Sequence, residues 1–96
     1  MNKFKLQYIL EGTLNDEKIK KIRCKHGIAG YGVYMALLEM LYETPDCSLE
    51  YDLDLLVFDL RANKKLIKNV IEDFGLFIIK EGIFYSVEVS SKVEKA

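Results

Sequence analysis

Residues 52–87 read DLDLLVFDLRANKKLIKNVIEDFGLFIIKEGIFYSV, and their periodicities decide the fold. Leu53, Leu56, Val57 and Leu60 recur at the spacing of one helical face. Arg61-Ala62-Asn63 breaks that stripe. Leu66, Ile67, Val70, Ile71 and Phe74 then predict a second helix, which Gly75 stops. Leu76 to Lys80 and Ile83 to Val87 are rich in β-branched and aromatic residues and flank Glu81-Gly82, the signature of a tight hairpin. Helix, turn, helix and hairpin in that order predict an α+β chain of the winged helix-turn-helix type. Just upstream, Cys47 to Tyr51 is a candidate third strand beside the hairpin. Asp52 and Asn63 are placed to cap the two helices. Asp52-x-Asp54 is read as capping rather than as a metal pair.

Composition bounds the rest. Ninety-six residues make one domain, and a 50% apolar content supplies a core. The net charge of -1 gives no global field for a polyanion. The charge is nevertheless segregated: Lys18, Lys20, Lys21, Arg23 and Lys25 crowd one segment, whereas residues 39–59 carry only acids. A dipolar surface of this kind suits a polyanion on one side or head-to-tail self-association. Cys24 and Cys47 match no metal-ligand spacing and read as free thiols in a reducing cytoplasm. The N-terminus has no signal-peptide pattern, and the longest apolar run, Val33 to Leu38, is too short to span a bilayer.

Toward the N-terminus, Phe4, Leu6, Tyr8 and Leu10 alternate with polar residues, Ile9 excepted, and predict a strand. It would pair inside its own domain or reach to a second copy as an arm. Asn15 is placed to cap a helix whose stripe is Ile19, Ile22 and His26 and whose expected C′ residue is Gly27. His26, the only histidine, reads as a helix-end residue. Lys18, Lys21 and Lys25 share one face of that helix, either solvated or in contact with phosphates.

Gly30-Tyr31-Gly32 opens the next helix, its glycines allowing close approach to a neighbour. Tyr34, Leu37, Leu38 and Leu41 form its stripe, but Val33, Met35, Ala36, Met40 and Tyr42 make the other faces apolar too. Such a helix must be buried nearly all round, so a subunit interface involving Tyr31, Met35 and Tyr42 is expected.

With the second helix of the 52–87 stretch turned stripe-inward, Asn63, Lys64, Lys65, Lys68, Asn69 and Glu72 face out. Lysine suits phosphates and asparagine suits adenine edges. No arginine is present for bidentate contact to guanine, so sequence-specific reading should be weak. Lys80 and Glu81 at the hairpin tip make a poor wing. Residues after Ser90 could start another helix, so the chain reads as the first domain of a longer protein. Nothing offers a nucleophile–base pair, a metal cluster or a cofactor motif, and an enzyme is not expected.

Several of these pieces together resemble a known family. Asn15-Asp16-Glu17-Lys18-Ile19, Gly27 with Gly30-Tyr31-Gly32-Val33-Tyr34, Leu37-Leu38-Glu39, Phe74-Gly75-Leu76-Phe77 and Gly82-Ile83-Phe84-Tyr85-Ser86 look like the N-terminal domain of Lin-type prophage proteins. That domain is similar to the N-terminal winged helix of the primosomal protein DnaD. The resemblance covers roughly residues 8–89. It implies a winged helix, association into dimers or larger assemblies, and a place in phage or plasmid-type replication initiation. One departure is Tyr8-Ile9-Leu10-Glu11, where the family tends to place an aromatic followed closely by His-Asp.

Two functions are thereby expected. One is a DNA-binding module using Asn63, Lys64, Lys65, Lys68 and Asn69, with Lys18, Lys21 and Lys25 as a second phosphate patch. The other is a protein-interaction and oligomerisation module, using Phe4, Leu6, Tyr8, Leu10, Tyr31, Met35 and Tyr42 for self-association or docking a replication partner.

Overall fold

The computed structural model describes residues 17–87. In chain order they form α1 (Glu17–Tyr42), β1 (Leu49–Glu50), α2 (Leu53–Leu60), α3 (Lys64–Glu72), β2 (Phe77–Lys80) and β3 (Ile83–Ser86). The three strands make one antiparallel sheet in the order β1-β3-β2. Three helices and a small antiparallel sheet constitute an α+β fold, compatible with a winged helix.

Local chemistry sets most boundaries. The Asp52 carboxylate accepts from the backbone N–H groups of Asp54 and Leu55 and starts α2. Arg61, in the left-handed region at φ 53°, ends it. Asn63 Oδ1 accepts from the Leu66 N–H and starts α3. Gly75, at φ 67°, turns the chain toward β2. Glu81 and Gly82 both have positive φ, as a two-residue primed hairpin turn demands.

The sequence predicts two helices separated at Gly27. The structure has two helical segments that meet in a kink at Gly27, taken together as α1, and the backbone of Gly27 is non-helical. Its φ of 67° and ψ of -156° place it in a region that is essentially reserved for glycine. Gly30 supplies the close approach: a Cβ there would lie 2.6 Å from His26 Cβ and 2.9 Å from Ile22 Cγ2. Gly32 has open space around it, and nothing in the structure explains its being glycine.

The core gathers Ile19, Ile22, Val33, Tyr34, Leu37, Leu38 and Leu41 from α1 with Leu56, Ile67, Val70, Ile71, Leu76, Phe77 and Phe84. An edge-to-face chain of rings, Tyr34 to Phe77 to Phe84 to Tyr51, ties α1 to the sheet and to the start of α2.

This core corrects the expected place of Tyr42 at an interface. The apolar faces of residues 31–42 are largely covered within one copy of the chain. Tyr42 belongs to the core at 6% exposure, and Tyr31 and Met35 are half-buried against it. Part of the all-round apolar pattern is accounted for by contacts of α1 with both α3 and β3.

Candidate functional site

The site is built around the first turn of α3. Ile67, Val70 and Ile71 anchor that helix in the core, which turns Lys65 and Lys68 to solvent. Asn63 uses its side-chain oxygen on the Leu66 N–H, and its carbonyl accepts from the Ile67 N–H. Capping leaves the N–H groups of Lys64 and Lys65 without partners inside the helix. Lys64 leans toward α2, its Nζ 3.1 Å from Asp54 Oδ1. That pair is exposed, so it stabilises the fold by no more than about 1 kcal/mol.

The segment of α1 before the kink lies against α3. Lys25 and His26 from α1 and Asn63, Lys65, Leu66 and Asn69 from α3 and its cap line one concavity of about 390 Å³. Among the described residues, two lysines and two asparagines line it and no acidic residue does. His26 packs its ring edge-on against Phe74 at 5.9 Å, and its Nε2 is buried without a hydrogen-bond partner.

The other residues expected at a polyanion fall elsewhere. Lys18 donates from Nζ to the Gly75 carbonyl at 3.2 Å, where it supports the turn after α3. Lys21 and Lys68 are exposed but do not line the concavity. His26 and Leu66 do line it, although neither is marked as a site residue by its sequence. Only the packing of α1 on α3 brings the end of the first α1 segment to this concavity. Phe4, Leu6, Tyr8 and Leu10 lie outside the described residues.

At the far end of α3, the Tyr51 hydroxyl donates to Glu72 Oε2. Burial pushes the Tyr51 hydroxyl pKa well up, and the Glu72 hydrogen bond and the charges of Glu72 and Asp73 add to it. A second concavity, of about 320 Å³, is lined by Asp46, Cys47, Ser48, Ile83 and Tyr85. There, hydrogen bonds from Ser48 hold the exposed Asp46 carboxyl below the usual carboxylate range.

Several large apolar side chains stay exposed. Ile28 is 80% exposed just beyond the kink, and Leu55 and Phe58 project from α2, with the Arg61 guanidinium 4.8 Å above the Phe58 ring. Ile78, Ile79, Ile83 and Val87 do the same on and beside the hairpin. Cys24 and Cys47 are free. Among the described residues, no group of three or more His, Cys, Asp or Glu could hold a metal ion, and no helix is long and apolar enough to cross a membrane.

No curated protein and no solved structure matches the chain. The family described as Lin1244/Lin1753-like, N-terminal, matches residues 10–89. That match spans most of the sequence, and the chain belongs to this family.

Proposed function

We propose that this domain is a DNA-binding module of a DnaD-like replication-initiation or primosome-type protein of a phage or mobile element, acting by binding rather than catalysis. The observation that carries the reading is the concavity lined by Lys25, His26, Asn63, Lys65, Leu66 and Asn69, which has no acid among the described residues of its lining. In a chain with 15 acids and 14 basic residues, a concave site of this kind is a local excess of donors and positive charge. Lys68, exposed one turn along α3 from Lys65, extends it. Lysines contact phosphates as point charges, so affinity should be general and strongly salt-dependent, with little base discrimination.

Fluorescence anisotropy of labelled duplex and single-stranded DNA, at low and at physiological salt, tests the reading. Saturable binding with a steep salt slope supports it. Absence of binding even at low salt removes it.

A second reading is favoured by a separate observation, the exposed apolar side chains of α2 and the hairpin. On that reading the domain is a protein-interaction module that forms homo-oligomers or docks a replication partner. Light scattering at micromolar concentration tests self-association, and a strictly monomeric mass removes it.

A further inference from the structure

We infer that the concavity between α1 and α3 is a seat for one phosphate group, clamped between Lys25 and Lys65. The inference deepens the DNA-binding reading and rests on it for the origin of the phosphate. Three features carry it. First, the cations come from two elements packed against each other, Lys25 from α1 and Lys65 from α3, so they converge instead of following one helix face. Second, the lining is biased toward donors. Asn63 has spent its side-chain oxygen on the Leu66 N–H, which leaves its NH2 to point outward or find another acceptor. Asn69 adds a second amide, and the N–H groups of Lys64 and Lys65 lack helix partners. Third, the Asp54 carboxylate, which pairs with this helix end, is engaged by Lys64 and does not line the concavity.

One element opposes an anion. The first segment of α1 ends beside the concavity, and the last carbonyls of a helix amount to roughly half a negative charge. The full charge of Lys25 in that last turn outweighs it, and the opening turn of α3 contributes the opposite sign.

The ligand chemistry is a phosphate oxyanion, and it has two sources: the diester backbone of DNA or a terminal phosphate. The test is an NMR titration of the 15N-labelled chain with inorganic phosphate in chloride buffer. It is then repeated with single-stranded oligothymidylate carrying either a 5′-hydroxyl or a 5′-phosphate. Saturable shifts of the Lys64, Lys65, Leu66 and His26 amides are expected. Lys25→Ala and Lys65→Ala should each weaken phosphate binding by about tenfold, the effect of losing a charged hydrogen-bond partner. Lys80→Ala, equally exposed but on β2 and outside the lining, should change it less than about twofold.

Non-saturating shifts, or equal weakening by Lys80→Ala, would overturn the seat in favour of a diffuse positive surface. DNA binding that survives Lys25→Ala unchanged would overturn the seat and leave the DNA reading intact. Phosphate saturation without DNA binding would support the seat and end the DNA reading. Tighter binding of the 5′-phosphorylated strand supports the seat with a terminal group as its ligand, and equal binding of the two strands supports it with the backbone.

Discussion

The two ends of α3 have similar polar content and opposite economies. At the C-terminal end the polar groups are employed in holding the fold together: Glu72 receives the Tyr51 hydroxyl, and the Gly75 carbonyl just beyond receives Lys18 Nζ. At the N-terminal end Asn63 spends one oxygen on the cap, and Lys65, Asn69 and Lys25 turn toward an open concavity. Paired polar groups stabilise a fold only modestly, but those left over are the ones a ligand can use. The difference teaches where to look for function in a domain without a catalytic cluster. It also says that mutations at the two ends should separate into stability effects and binding effects.

The largest break in that comparison is charge reversal at the open end. Lys65→Glu with Lys68→Glu should weaken DNA binding by roughly 100-fold at low salt and reduce the salt slope, measured by anisotropy. The melting temperature should stay near that of the parent, because both side chains are exposed. A large loss of stability with unchanged affinity would reverse the assignment of the two ends.

Next in size is Gly30→Ala, which strikes what both ends share. Its Cβ would press on His26 Cβ and Ile22 Cγ2, and the packing strain should cost about 1–3 kcal/mol in urea unfolding. Full stability in this variant would show that the two segments of α1 can part without cost.

Tyr51→Phe sharpens the closed end. Loss of the exposed hydrogen bond to Glu72 should lower stability by about 0.5–1 kcal/mol at neutral pH. The pH dependence has a definite sign. The hydroxyl pKa is raised in the folded state, so the unfolded chain gives up its proton first. The contribution is therefore present in full below the unfolded value near pH 10, and it is lost as pH rises from there toward the folded value. Urea midpoints from pH 8 to 11 should fall more steeply for the parent than for Tyr51→Phe, while phosphate and DNA affinity at neutral pH stay the same.

Smallest is Lys18→Met, which removes one solvent-exposed donor to the Gly75 carbonyl. About 0.5 kcal/mol is expected in the same unfolding assay. DNA affinity should change less than about twofold, since this lysine is already bonded within the fold. A tenfold fall would return Lys18 to the binding surface.

Much of the fold was legible because it is locally encoded. Asp52 and Asn63 announce their helices by the chemistry of capping, and Glu81-Gly82 announces the hairpin by the φ values its turn requires. The third strand followed from β-forming residues next to a turn. The break at Gly27 was legible too, but its ψ of -156° was not, because a glycine in a sequence does not say which of its conformations the chain takes.

The site was legible by halves. Asn63, Lys65 and Asn69 follow from the helical face opposite the apolar stripe, and Lys25 follows from its own helix. Their meeting does not, because it depends on how α1 crosses α3. The same contacts hide Tyr42, whose apolar neighbours suggest an interface when the helix is read alone.

The order of the strands has a consequence for how the chain folds. β2 and β3 are joined by two residues and can zip together locally, on a scale of about 1–10 μs. β1 cannot. Leu49 meets Phe84 and Glu50 meets Ile83 only after the chain has run through α2, α3 and β2, so a long loop must close for two residue pairs. This short strand therefore closes last and opens first. The Tyr51 amide, bonded to the Gly82 carbonyl at 2.8 Å, should exchange its hydrogen sooner than the amides between β2 and β3. Asp52, the next residue, caps α2, so each opening of the latch also loosens the start of that helix.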